Sequence, residues 1–245
     1  VDVKAVDAES ARGGAIHHLL DAVAVVGRGV IGATHQAGQL GLFALSGVSH
    51  VFRPPFYGRM FLRALVDIGF FSLPVVALTA IFTGMVLALQ SFTGFARFSA
   101  EGAIASLVVL SVTRELGPVL AGLMVAGRVG ASIAAEIGTM RVTDQLDALS
   151  TLSTEPMKYL VAPRLLAGLV ALPLLVVVAD ILGVLGGFII ATVKLGFSPS
   201  AYLANTLNFL QFQDVVSGLA KAAVFGFLIA LMGCYHGYNS RGGAQ

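Results

Sequence analysis

Apolar positions along the chain follow two regimes. From about Ile16 to Phe52 they recur at Ile16, Leu19, Leu20, Val23, Val26 and Val30, the spacing of one helical face, and are interrupted by Asp21, Arg28 and several glycines. No uncharged run of the ~20 residues that a membrane span needs occurs there. The pattern therefore predicts an amphipathic helix lying in the membrane interface, within an N-terminal region of residues 1–55. Arg53, Pro54 and Pro55 end it, because proline has no amide donor and restricts the residue before it. Residues 56–245 form a second region with four apolar runs of spanning length. The first covers about 65–90, with Pro74 and Gly84, and the second about 103–127, with Arg114, Glu115 and a Gly117-Pro118 break. The third covers about 165–193, through Pro173, Asp180 and Gly183, and the fourth about 215–235, through Lys221. The predicted fold is all-α: a polytopic integral membrane protein with an N-terminal interfacial helix and four transmembrane helices.

Composition agrees with that pattern. With 57% hydrophobic and 11% charged residues, and a mean hydropathy of +0.89, the chain cannot hide its apolar surface inside a water-soluble globule. A net charge of +2 and the lack of a basic block with interleaved aromatics exclude nucleic acid as a partner. The one cysteine, Cys234, sits among apolar residues and reads as packing, so neither an intrachain disulfide nor a metal site is expected. The N-terminal VDVKAVDAESARGG lacks the pattern of a signal peptide, and insertion is expected to rely on the internal apolar segments.

Charge in the short loops sets an orientation. Arg53, Arg59 and Arg63 precede the first span, and Arg128, Arg141, Lys158 and Arg164 lie between the second and third, against only Arg97 and Lys194 on the other side. Cytoplasmic loops are enriched in Lys and Arg, so the N-terminus and the 128–164 loop are expected in the cytoplasm.

Within that loop Ile133, Ile137 and Met140 repeat at helical spacing, while Glu136, Arg141, Asp144, Gln145 and Asp147 supply a polar side. The segment reads equally as a solvated connector or as a short helix presenting side chains to a soluble partner. Small residues four apart, at Gly122, Ala126 and Gly130 and at Gly183 and Gly187, mark faces where helix backbones can approach closely. Arg114 and Glu115 lie inside a span, where ionisable groups are costly and are retained against a partner, a cavity or a transport path. With Lys221 they read either as a structural pairing between helices or as the lining of a polar passage. No G-x-x-x-x-G-K-[ST], H-E-x-x-H or G-x-S-x-G motif occurs, which speaks against a hydrolase or intramembrane protease, so any work on a substrate is expected to draw on an ion gradient or on a separate ATPase.

Three motifs carry a resemblance: Arg114-Glu115-Leu116-Gly117-Pro118-Val119, Ala126-Gly127-Arg128, and Ala135-Glu136-Ile137-Gly138-Thr139-Met140-Arg141. Together with Gly84-Met85-Val86-Leu87, Pro163-Arg164, Lys221 and Gly237-Tyr238-Asn239, they closely resemble the MlaE family of ABC-transporter permeases, over about Arg63 to the C-terminus. The resemblance implies the membrane subunit of an ATP-driven transporter that moves phospholipid between the inner and outer membranes of bacteria and maintains outer-membrane asymmetry. It implies a permease homodimer in the inner membrane, two MlaF-like ATPases that use the ATP and Mg, MlaB-like STAS proteins, and a hexamer of MlaD-like MCE proteins. This chain itself would hold no cofactor and no catalytic residue.

By the same resemblance, residues from about 131 to 149 form a coupling helix that docks into the ATPase, with Glu136, Arg141, Asp144 and Gln145 as contacts. The lipid cavity would be lined by Phe82, Met85, Val86 and Leu89 of the first span. Arg63 would meet headgroups at the membrane entrance, and Arg114, Glu115 and Lys221 would form a charge network shaping the cavity. The family continues beyond Gly237-Tyr238-Asn239 into a fifth span, whereas this sequence stops at Gln245, which reads as truncation. The alternatives are an ion-coupled secondary transporter using Arg114, Glu115, Asp180 and Lys221 as a relay, and an Mce-type lipid or sterol importer.

Overall fold

The computed structural model describes residues 3–51, 53, 54, 56–95 and 103–240, and side chains from residue 25 onward. The apolar face from Ile16 to Val23, the link holding Arg97 and Glu101, and the last residues to Gln245 lie outside the described side chains or residues. Described residues are helical or in turns, with no strand among them. The chain divides into two compact units, one ending at Ser46 and one beginning at Gly47. The first consists of the long helix α1 (Val3–Val51) up to Ser46, and its described side chains from Val25 to Leu45 are largely exposed.

The second unit is a bundle of four spans: Gly58–Phe95, Ala103–Val142, Met157–Val193 and Phe212–Tyr238. The first is α2 (Gly58–Ile68), a 3₁₀ turn at Phe70–Ser72, and α3 (Leu73–Phe95). The second is α4 (Ala103–Ser111), α5 (Gly117–Val125) and α6 (Ala131–Val142), joined without a break by π-helical turns at Val112–Leu116 and Ala126–Gly130. A short helix α7 (Gln145–Thr151) follows. The third span is a π-helical turn at Met157–Val161 and α8 (Ala162–Val193); α9 (Pro199–Phe209) connects it to the fourth, α10 (Phe212–Tyr238).

Helix α8 is the centre of the bundle, packed against α2, α3 and α10. Glycine makes that packing possible. A Cβ on Gly84 would land on the Gly183 carbonyl, one on Gly186 on the Ile81 carbonyl, and one on Gly168 would lie 2.5 Å from the Gly226 carbonyl. Lipid gives no hydrophobic drive to helix association, so backbone approach of this kind carries the contact. Of the small-residue faces read from sequence, Gly183 and Gly187 are tight. Gly122 and Gly130 keep ordinary van der Waals distance from Phe225 and Ile229 of α10.

The 131–149 segment departs from the single helix expected. Its first part, α6, prolongs the second span, because Ile133 and Ile137 are buried against the flat surface that Gly233 and Gly237 give α10. Asp144 then takes a left-handed conformation, φ 56°, which stops the helix and starts α7 on a new course. Three spans have 37–40 residues, roughly 55–60 Å at 1.5 Å per residue, against ~30 Å of hydrocarbon. They extend well outside the lipid core.

At the opposite end Tyr202 anchors α9. Its ring meets Phe188 edge-on at 5.7 Å, and burial pushes its phenol up to about 12.

Candidate functional site

The motif Arg114-Glu115-Leu116-Gly117-Pro118 builds its own polar site. Pro118 has no N–H to donate, and it follows a π-helical turn in which the Gly117 N–H reaches five residues back to the Val112 carbonyl, so the helical ladder is interrupted here. Lys221 of α10 supplies a donor beside it: its Nζ donates to the Arg114 carbonyl at 2.9 Å and to Glu115 Oε1 at 2.8 Å. Arg114 Nη1 in turn lies 3.5 Å from Asp214 Oδ1, also on α10. Asp214 is buried and caps its own helix, accepting from the Gln211 amide at 3.2 Å. Asp214 lies one residue ahead of the fourth apolar run, in the first turn of α10, so apolar run length does not mark it. The Gln211-x-x-Asp214 capping-box spacing was the available signal.

Arg114 and Lys221 lie about 17 and about 14 Å along their helices from Ala103 and Phe212, which is mid-depth for a ~30 Å hydrocarbon layer that begins at those ends. Yet Arg114 and Glu115 keep 54% and 62% of their side-chain surface exposed in the single chain.

The four apolar candidates of the first span separate. Phe82 and Val86, both exposed, face a groove of about 410 Å³ shared with Thr79, Thr83, Gln90 and Leu116. Leu116 follows Glu115 in the chain, so the groove runs beside the charged turn. Met85 and Leu89 are half-buried and do not line it.

Arg63 is not part of that site. It lines a separate cavity of about 490 Å³ at the basic end of the bundle, with Asp67, Arg128, Glu136 and Arg164. Glu136, expected to face an ATPase, is held by Arg164 Nη2 at 2.7 Å. Arg141 pairs with Asp147 at 3.1 Å across the Asp144 turn, leaving Asp144 and Gln145 as exposed positions at its tip.

Asp180, a relay candidate, is 8% exposed behind Gly117, where a Cβ would collide with its Oδ1. It makes no ion pair with Arg114, Glu115 or Lys221, so the four residues do not form one chain of charges among the described residues. No group of three His, Cys, Asp or Glu able to hold a metal occurs among the described residues.

A four-span helical bundle with a polar, partly open site beside an apolar groove is the architecture of a polytopic membrane protein. Residues 61–245 match the model of the family described as Permease MlaE. A probable ABC transporter permease protein of Rickettsia felis is 57% identical over 93% of this chain and 88% of its own length. Another of Synechocystis is 41% identical over 80% and 74%. The intermembrane phospholipid transport system permease protein MlaE of Haemophilus influenzae is 34% identical over 70% and 66%. The chain belongs to the MlaE permease family. It is a multi-pass membrane protein and an ABC transporter permease, a transport subunit of a class that works with an ATPase partner.

Proposed function

We propose that this permease is the membrane core of an ATP-driven transporter of glycerophospholipid between the inner and outer membranes of a bacterium, contributing to outer-membrane asymmetry. The observation that carries this reading is the pair Arg114 and Glu115, half-exposed near the middle of the hydrocarbon beside the Phe82–Val86 groove. Charges left facing lipid at that depth cost about 2.5–3.5 kcal/mol each on insertion scales. A second copy of the chain covering this face removes that cost and closes two grooves into one chamber. The apolar walls take acyl chains, and the Arg114, Glu115, Lys221 and Asp214 network takes or shapes the polar end. Phospholipid transport by the Haemophilus influenzae relative supports the substrate class.

In this reading the basic end faces the cytoplasm with the N-terminus, in the inner membrane. The α6–α7 elbow, led by Asp144 and Gln145, meets an MlaF-like ATPase accompanied by an MlaB-like protein. An MlaD-like MCE hexamer stands over the opposite end. ATP-driven movement at the elbow narrows the chamber and passes lipid to or from that ring. The test is reconstitution of the complex between two liposome populations with labelled phospholipid. ATP-dependent transfer is expected, and transfer indifferent to ATP overturns the reading.

A further inference from the structure

The cavity that holds Arg63 has a charge pattern which the chamber does not use. Its charged lining residues are Arg63, Asp67, Arg128, Glu136 and Arg164. Two of these neutralise each other: Arg164 is 13% exposed in its side chain and grips Glu136 at 2.7 Å, while its other terminal nitrogen donates to the Leu160 carbonyl at 3.1 Å. Arg128 is fixed in place. Its Nη1 donates to Ser72 Oγ at 2.7 Å and to the Asp67 carbonyl at 3.3 Å, and its guanidinium lies 5.9 Å from the Phe71 ring centroid. Those bonds use one nitrogen and leave the rest of the fork available. Arg63, exposed, has no ion pair or hydrogen bond among the described residues, and neither does the Asp67 carboxylate. What remains uncommitted is two guanidinium groups and one carboxylate around a space within the ~300–1,000 Å³ range of small-molecule sites.

The depth of the cavity narrows the ligand. Arg128 lies about 38 Å along the second span from Ala103, and Arg164 about 44 Å along the third from Val193, past ~30 Å of hydrocarbon. With the hydrocarbon taken to begin at Ala103 and Val193, these side chains fall at headgroup level at the basic end, on the opposite side of the midplane from the MCE-facing end of the proposed function. Arginine forks bind phosphate oxygens in pairs, and a carboxylate beside them offers a hydrogen-bond acceptor to an ammonium group.

We propose that this cavity binds the zwitterionic headgroup of one glycerophospholipid of the cytoplasmic leaflet, its phosphodiester against Arg63 and Arg128 and its primary ammonium against Asp67. A purely anionic headgroup leaves the carboxylate unanswered, and a trimethylated ammonium cannot donate to it. The site is separate from the central groove, and only the name of the leaflet rests on the proposed orientation.

Native mass spectrometry of the full chain in detergent, loaded with defined phosphatidylethanolamine, phosphatidylglycerol or phosphatidylcholine, tests it without ATP or an ATPase. Failure of the transport reading therefore leaves the result interpretable. The wild type is expected to retain one more phosphatidylethanolamine per chain than Arg63→Ala at equal melting temperature, and Asp67→Asn to shift retention towards phosphatidylglycerol. Arg63→Lys should recover part of the lost lipid. Inorganic phosphate should not displace it. Equal lipid counts for wild type and Arg63→Ala overturn the proposal, as does equal retention of all three lipids by wild type and Asp67→Asn. Displacement by inorganic phosphate alone marks a free-anion site and overturns it too.

Discussion

Lys221 donates to the backbone carbonyl of Arg114, beside the interruption that Pro118 makes in the helical ladder. Replacing Lys221 by Met removes that donor and strips Glu115 of its partner. Replacing Pro118 by Ala restores an N–H to the interrupted ladder. Lys221→Met is therefore expected to destabilise the bundle by up to about 1 kcal/mol, the lower end of the range for an unmade bond at a half-exposed site. Adding Pro118→Ala should recover part of the loss. A double-mutant cycle of thermal unfolding in detergent checks it, and strict additivity counts against the carbonyl contact. Lipid transfer should stay several-fold low in the double mutant, because Glu115 is still unpaired.

Close backbone packing of α3 on α8 gives a second expectation. Gly84→Ala forces a Cβ onto the Gly183 carbonyl and should cost about 1–3 kcal/mol, the usual scale of overpacking. Gly127→Ala, with open space around it, should cost nothing measurable. Melting temperatures of the two variants in the same detergent decide the matter.

Much of this architecture is legible in the sequence, and the misses have physical causes. Four spans follow from apolar run length alone, and Lys221 opposite Arg114 and Glu115 follows from the cost of burying charge in lipid. The end of the second span did not follow. Arg128 and Glu136 interrupt the apolar run, but a loss of hydrophobicity is not a helix end. The helix continues to Val142 because Ile133 and Ile137 find Gly233 and Gly237, a contact between residues about a hundred positions apart. Arg63, expected at the membrane entrance, lines a cavity of its own that the sequence does not outline. Span boundaries say which leaflet an arginine meets, but the cavity it enters depends on how α2, α6 and α8 pack.

Gly117 and Asp180 form a third testable pair. Gly117→Ala drives a Cβ into Asp180 Oδ1 and should cost about 1–3 kcal/mol. Asp180→Ala opens the space, so the double variant should be more stable than Gly117→Ala alone. Unfolding midpoints of the three variants provide the reading, and a double variant no better than the single one removes Asp180 as the reason for glycine at 117.

Asp144 holds the elbow between α6 and α7 at positive φ. Asp144→Gly should keep the turn, whereas Asp144→Val pays roughly 1–2 kcal/mol for the left-handed backbone and favours a straightened helix. In the assembled complex, ATPase activity coupled to lipid transfer should survive the first change and fall several-fold with the second. Equal activities would separate the elbow from coupling.

The groove separates the four apolar candidates of the first span. Phe82→Ala and Val86→Ala should lower phospholipid transfer several-fold, while Met85→Ala and Leu89→Ala, outside the groove, should change it little. Transfer assays on the four reconstituted variants, normalised to the amount of folded protein, test this ordering.

The unbroken run from Ala103 to Val142 has a mechanical meaning. Arg114 and Arg141 stand about 40 Å apart on one backbone, with π-helical turns at Val112–Leu116 and Ala126–Gly130. In the proposed transporter a push at the elbow would reach Arg114 and Glu115 along a single shaft, without being handed across any sliding interface between helices. The two π turns, where the hydrogen-bond ladder is loosest, are the points at which that shaft can convert a thrust into a twist.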